Sequence, residues 1–429
     1  MGTGKTIATL TALHEMLRSF DASRVLVVAP LRVALHVWST EIDAWAHVSD
    51  LTYRVLAGLP AAERLAAARG SEEIHIINRE NLPHLVDNLR KDWPYDTIVL
   101  DESRSFKNFR SKRFKAMRRV RPKIDRVIEL TGTPAPNGYL DLWAQISLLD
   151  AGDRLGKTYT AYRDRHFDSD YFGYNFTLKD GHKEIIRDKI SDICLSIEAR
   201  DHFDLPELFD NPIRVQLPAR ASEQYQEFAR EFILAMESGD PVVASSAGVL
   251  RNKLHQVANG FIYDAEGQAI QLHEAKLDAL DEIIEEANGM PVLVLYWYKE
   301  DLAMIRRRFK QAVPLDKSSG TLAAWNRGDI SVLAAHPGSC GHGINLQHGS
   351  NIMVWYSLTD DLELFQQASE RLGPVRQKQS GYDRPVYRHL IVAGGTVDDI
   401  ILESNTQKAM TQAELMDALK NQIVEGGQP

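Results

Sequence analysis

Short apolar runs rich in β-branched residues recur along this chain with helical stretches between them, and that alternation limits its fold more than any other feature. RVLVVA (24–29), the runs at 52–57 and 73–77, DTIVLD (96–101) and the run at 127–131 form a first set. VLVLYWY (292–298), SVLAA (331–335), IMVWY (352–356) and VYRHLIVA (386–393) form a second. A run that is apolar throughout, rather than at alternate positions, suits a strand covered on both faces. Strands of that kind separated by helices predict parallel sheets in an α/β fold. Two such sets in 429 residues predict two α/β lobes.

Between the sets, residues 151–210 lose strand periodicity, and aromatic and charged residues interleave in YTAYRDRHFDSDYFGYNF (159–176). The expected division is a first lobe over 1–150, a mostly helical brace or insertion over 151–210, a second lobe over 211–416 and a tail over 417–429. Residues 222–237 and 274–287 read as amphipathic helices of the second lobe, and 399–424 as a C-terminal helix. No repeat of 20 to 50 residues and no low-complexity tract is present. No apolar run approaches the ~18 residues of a membrane helix, so no membrane partner is expected. Two cysteines, Cys194 and Cys340, exclude a disulfide scaffold and fit a reducing, cytoplasmic compartment.

The chain opens MGTGKT. Gly2-x-x-x-Thr6 fits a loose myristoylation pattern. It also fits the second half of a phosphate-binding loop, Gly2-Thr3-Gly4-Lys5-Thr6, whose backbone N–H groups cradle phosphates while the lysine reaches the β/γ oxygens and the threonine hydroxyl helps hold magnesium. Ile7, Leu10, Leu13 and Leu17 recur at helical spacing and supply the helix that such a loop requires, which favours the second reading. The full pattern also asks for a glycine five positions before Gly4 and a strand feeding the loop, both ahead of Met1. The expectation is a truncated chain, a misassigned start or an incomplete nucleotide site.

DTIVLDES (96–103) delivers two adjacent carboxylates at the end of an apolar strand, where open α/β sheets bind ligands. Asp101 suits a magnesium shell together with Thr6, and Glu102 suits orientation or deprotonation of an attacking water. LTGTPAPN (130–137) ends another strand with Thr131, Gly132 and Thr133, small polar groups that can sense a γ-phosphate at the same sheet edge. The bland alternatives are a solvated Asp-Glu pair and a simple turn.

The formal charge is −9, from 50 Lys and Arg against 59 Asp and Glu, which argues against a nucleic-acid partner only if charge is spread evenly. It is not. Residues 104–126 hold eleven Lys/Arg and one acid. Lys107, Asn108, Arg110, Lys112 and Arg113 are the expected phosphate contacts, set against the plainer reading of a solvated helix face. The aromatics at 159–176 can stack on bases or simply pack as a brace.

GTGKT, VVAPLRVALHVW (27–38), DESR and LTGTPAPN stand in the order of motifs I, Ia, II and III of superfamily-two helicases, and the chain resembles their Swi/Snf-type branch of DNA-dependent ATPases, close to versions common in bacteriophages. In the second lobe, LHEAKLDALDEII (272–284) followed by VLVLYWYKEDLAMI (292–305) resembles the entry to motif IV. AAHPGSCGHGINLQHGSNIMVWYSL (334–358) resembles motif V, with Gly341, Gly343 and Asn345 in a tight loop, and QQASERLGPVRQKQ (366–379), with Gln367, resembles motif VI.

The resemblance implies two RecA-like lobes, ATP with Mg2+, and double-stranded DNA as the partner in a bacterial or phage-infected cytoplasm. It also implies an arginine that stabilises the γ-phosphoryl group in transit, an effect worth roughly 10³ to 10⁵ in rate. Arg371 and Arg376 are the candidates. The family spaces its arginines as QxxxRxxRxGQ, and Pro374 stands at the second position here, so Arg376 would act through a Gly373-Pro374 kink. His336, Cys340, His342 and His348 fit no standard zinc spacing, and no structural zinc is expected.

The expected mechanism is a population shift in which ATP bridging Lys5, Thr6, Asp101 and the motif VI arginines favours lobe closure and hydrolysis releases it. The resemblance implies translocation rather than strand separation, two outputs that the motifs themselves do not distinguish. The rivals are a nucleic-acid-binding module with weak or no hydrolysis, and a phosphate-loop kinase or other NTPase that uses one lobe.

Overall fold

The computed structural model describes residues 4–132, 138–169, 176–195, 204–237, 241–264, 266–316, 319–340 and 344–410. Two compact units divide the chain near residue 202.

The first unit runs α1 (Lys5–Arg18), β1 (Val25–Ala29), α2 (Leu31–Ala44), β2 (Tyr53–Val55), α3 (Ala61–Ala67), β3 (Ile74–Asn78), α4 (Leu82–Leu89), β4 (Thr97–Asp101), α5 (Lys112–Val120), β5 (Arg126–Leu130) and α6 (Leu142–Asp150). Its five strands lie in the order β2-β3-β1-β4-β5, all parallel. Alternation along β1 explains why the run is apolar throughout. Val25, Val27 and Ala29 face a core with Leu10, Leu13, Trp38 and Ile42, while Leu26 and Val28 face another with Leu82, Leu85, Phe114 and Trp143. Each fully buried Val, Leu, Ile or Phe among these contributes about 1.5–3 kcal/mol. The unit is completed by α7 (Tyr159–His166), a hairpin of β6 (Phe167–Ser169) and β7 (Phe176–Leu178), and α8 (His182–Ile190). Tyr162, Phe167, Ile186 and Ile190 of this segment bury into the same core as Trp143.

The second unit opens with β8 (Leu208–Val215), α9 (Ala219–Glu237), α10 (Pro241–Asn259) and a hairpin of β9 (Phe261–Tyr263) and β10 (Ala269–Gln271). There follow α11 (Ala275–Glu286), β11 (Val292–Leu295), α12 (Lys299–Arg308), β12 (Ala312–Pro314), α13 (Ser319–Asn326), β13 (Val332–Ala335), α14 (Pro337–Cys340), β14 (Ile352–Trp355), α15 (Leu362–Glu370), α16 (Pro374–Gln379) and β15 (Val386–Ala393). Its six strands are also all parallel, in the order β12-β13-β11-β14-β15-β8. The fold is therefore α/β with two parallel sheets, as the two sets of apolar runs require.

One polar cluster sits inside this second core. Lys276 and Asp398 are fully buried and pair at 2.6 Å, and the same ammonium donates to Asn259 Oδ1 at 2.7 Å. Asn259 donates to Ser357 Oγ, and Asp301 accepts from the Trp297 and Tyr298 N–H groups. Burial pushes the Asp301 carboxyl up to about 6. The network ties α10, α11, α12 and the segment after β15 to one another.

Candidate nucleotide site

Gly4 precedes α1 with φ +70°, a left-handed conformation that suits glycine. Its carbonyl accepts the first helical bond, from Ala8 N–H at 3.0 Å. No side chain caps this end of α1, and its first turn holds no acid, so nothing within the helix itself offsets the N–H groups and the positive end of its dipole. Such an end favours a bound anion. Lys5 and Thr6 are half-buried in that first turn. Gly2 and Thr3 lie outside the described residues.

Asp101 ends β4 half-buried. Its Oδ2 accepts from the indole Nε1 of Trp38 at 3.0 Å, and its Oδ1 accepts from the N–H of Glu102, also at 3.0 Å. Burial pushes the Asp101 carboxyl up, and the Trp38 hydrogen bond, the Lys5 charge and the Glu102 N–H each pull against that rise. Lys5 is thus within electrostatic reach of Asp101, although the two stand 96 positions apart in sequence. Glu102 adopts φ +52°, uncommon for a residue with a side chain, and such conformations persist where the surroundings impose them. Here the Asp101 carboxylate holds its N–H, and its carbonyl accepts from Ser105 N–H at 3.0 Å. Hard oxygen donors on Thr6 and Asp101 beside a lysine suit magnesium carried with a nucleotide.

Thr131 and Gly132 follow β5 and are half-buried, while Thr133 lies outside the described residues. Behind this edge, Glu129 of β5 meets Ser103, whose hydroxyl also donates to Gln145 Oε1 at 3.2 Å. Burial pushes the Glu129 carboxyl up to about 8.

The basic stretch divides between structural duties and solvent. Arg121 caps the end of α6, donating to the carbonyls of Leu148 and Leu149 at 2.6 and 2.7 Å. Lys123 does the same for the carbonyls of Arg90 and Lys91, and Arg119 pairs with Asp87. Lys107 pairs with Asp141 at 3.3 Å, and Asn108 closes a turn by accepting from Arg110 N–H. Arg110 and Lys112 are exposed, the former over the Phe109 ring, and Arg113 is half-buried.

In the second unit, Gln367 of α15 is buried and donates to Glu363 at 2.7 Å. Arg371 follows α15 as its C-cap and is buried, with its charge near the Cys340 thiol. The chain then breaks: Gly373 caps α16 and Pro374 starts it. Beyond that break Arg376 donates to Asn345 Oδ1 at 3.2 Å, bringing the two sequence segments together. Gln377, absent from the sequence expectations, is fully buried and donates to the carbonyls of Ser350 and Leu372. Gly341, Gly343 and His342 lie outside the described residues. His336 accepts from Gly338 N–H at 3.1 Å and packs on Trp297, Cys340 is buried, and His348 lies beside Tyr382. Among the described residues no three His, Cys, Asp or Glu side chains gather as a metal site, and no helix is long and apolar enough to cross a membrane.

A profile of the SNF2-related domain matches residues 1–259. Protein p41 of Acyrthosiphon pisum secondary endosymbiont phage 1 is 41% identical over 434 residues, covering 98% of this chain and 94% of its own length. YwqA of Bacillus subtilis, whose name describes an ATP-dependent helicase/translocase, is 22% identical over 435 residues, covering 94% of this chain. The chain spans 45% of the length of YwqA. The SWI2/SNF2 ATPase core of Sulfolobus solfataricus, solved in complex with dsDNA, is similar over 97% of this chain and 87% of that chain, at TM-score 0.43 and 20% identity.

Proposed function

This chain belongs to the SNF2-related family, and from that premise we propose that it hydrolyses ATP and couples the hydrolysis to movement along double-stranded DNA. The uncapped, acid-free start of α1 behind a left-handed Gly4, with Lys5 in reach of Asp101, is the observation that carries this reading.

In this reading the first-turn N–H groups of α1 and the Lys5 ammonium bind the phosphates. Thr6 and Asp101 would hold magnesium, which would supply charge neutralisation to the nucleotide phosphates. Trp38 and the Glu102 N–H keep the Asp101 carboxylate oriented and offset its burial. Glu102 orients the attacking water and takes its proton. Thr131, Gly132 and Thr133 respond to the γ-phosphate. Arg371 and Arg376 stabilise charge on the group in transit, Arg376 being oriented by Asn345. Arg110 and Lys112, both exposed, contact the DNA backbone together with Lys107, Asn108 and Arg113.

The test is ATP-driven displacement of a third strand from linear duplex DNA. The proposal expects displacement that requires ATP hydrolysis and leaves the duplex itself paired. DNA binding without displacement would instead assign a binding module, and separation of the duplex strands would make the chain an unwinding enzyme.

A further inference from the structure

The second unit carries a cation cluster that neither the nucleotide chemistry nor the basic stretch at 104–126 uses. Lys299, Leu302, Ala303, Arg306, Arg307 and Lys310 line a shallow cleft of about 430 Å³. The first four recur at i, i+3, i+4 and i+7, so they share one face of α12, and Lys310 extends that face just past the helix end. All four cationic residues are exposed. Only Arg307 has a carboxylate partner, Glu300 at 2.7 Å, and among the described residues Lys299, Arg306 and Lys310 have none.

The contrast with the other side of the same helix is informative. Arg308 is met by three acids of α11 and the turn before it, Glu274, Asp278 and Asp281, at 3.2, 3.3 and 2.9 Å. A chain with 59 acids thus surrounds one arginine of α12 with carboxylates and leaves the neighbouring face bare. Like charges one helical turn apart repel, so an external anion is the favourable neighbour. The floor between the cations is Leu302 and Ala303, with no aromatic ring to stack on a base. Lys299 and Arg306 stand about 10 Å apart along the axis at 1.5 Å per residue, a spread suited to successive phosphates rather than to one small anion. An acidic peptide that docks by strand addition would want a free strand edge, and no strand residue lines the cleft.

We infer that this face of α12 is a second, sequence-independent contact for the phosphate backbone of duplex DNA, separate from the contacts proposed beside Asp101. The inference rests on the proposed function for its partner. It adds that the second unit holds DNA by its own surface charge.

The test is binding of the full chain to a labelled blunt duplex over a salt titration, comparing wild type, the double variant R306Q/K310Q and R308Q. Each cation that neutralises a phosphate contributes about −0.9 to the slope of log K against log salt. The double variant is expected to flatten the slope by about 1.8, and R308Q, whose cation is already engaged, to leave it unchanged. Wild-type binding with the same slope in the double variant overturns this inference and leaves the proposed function standing. Equal flattening by R308Q also overturns it, as a general charge effect. Absence of any duplex binding by wild type instead overturns the DNA reading itself. Polyglutamate that binds wild type and is lost in the double variant, with DNA binding unaffected, reassigns the face to an acidic protein segment.

Discussion

The indole N–H of Trp38, a fully buried residue of α2, donates to Oδ2 of Asp101 at the end of β4 across 3.0 Å. This bond crosses from one structural element to another and fixes a carboxylate that burial alone would favour in its neutral form. W38F keeps most of the apolar volume and removes the donor. A hydrogen bond to a charged group contributes about 1.5–3 kcal/mol, so ATP turnover should fall roughly tenfold to a hundredfold. The acid limb of the rate profile should also move to higher pH, because Asp101 loses a partner that favours its ionised form. Steady-state turnover of W38F between pH 5 and 9 measures both effects.

Arg376 and Asn345 form the corresponding pair in the second unit. If Asn345 acts by orienting Arg376, the two substitutions will not add. R376A should reduce turnover by roughly 10³, in the range of an arginine that meets the transferring phosphoryl group. N345A should cost less, about tenfold, and the double variant should be no slower than R376A alone. A double-mutant cycle on turnover at saturating ATP reads the coupling.

Much of the architecture could be read from the chain because its central strands are covered on both faces. β1, β11, β13 and β14 are continuous apolar runs for that reason, and β3 and β4 are apolar apart from His75, Asn78, Thr97 and Asp101. β8 escaped because it lies at the sheet edge, is largely exposed and carries Asp210, Asn211 and Pro212, so it has no apolar run to detect. β12 has only three residues and ends in Pro314. Asp101 and Glu102 could be located at a strand end from local sequence, whereas the Trp38 contact spans 63 positions and has no local signal. The eleven cations of 104–126 read as one patch, yet Arg121 and Lys123 turn to backbone carbonyls, a use that depends on where α4 and α6 end in space.

The buried Lys276–Asp398 pair gives a stability prediction. Removing one partner strands the other charge in the core, at a cost of about 3–5 kcal/mol. K276M should therefore lower the denaturation midpoint of the second unit strongly. K276M/D398L, which removes both charges, should recover much of that loss. Denaturant titrations of the three proteins, followed by tryptophan fluorescence, distinguish them.

Glu129 gives a pH dependence of defined sign. Burial raises its carboxyl to about 8 in the folded chain, above the ordinary unfolded value, so the folded state binds the extra proton. The stability associated with that proton is complete below the unfolded value and is lost as pH rises toward 8. E129Q carries no titrating group and should escape this loss. Its Tm should match wild type near pH 5, exceed it increasingly up to pH 8, and hold a constant advantage above that.

The central claim is that Lys5, Asp101 and Glu102 form a site that hydrolyses ATP in response to duplex DNA. Phosphate release by the full chain, measured with and without saturating linear duplex in wild type, K5A and E102Q, tests it most directly. The account predicts turnover that rises on adding DNA and falls at least a hundredfold in both variants, with DNA binding retained. Turnover indifferent to DNA, or DNA-stimulated turnover that survives K5A and E102Q, would contradict it.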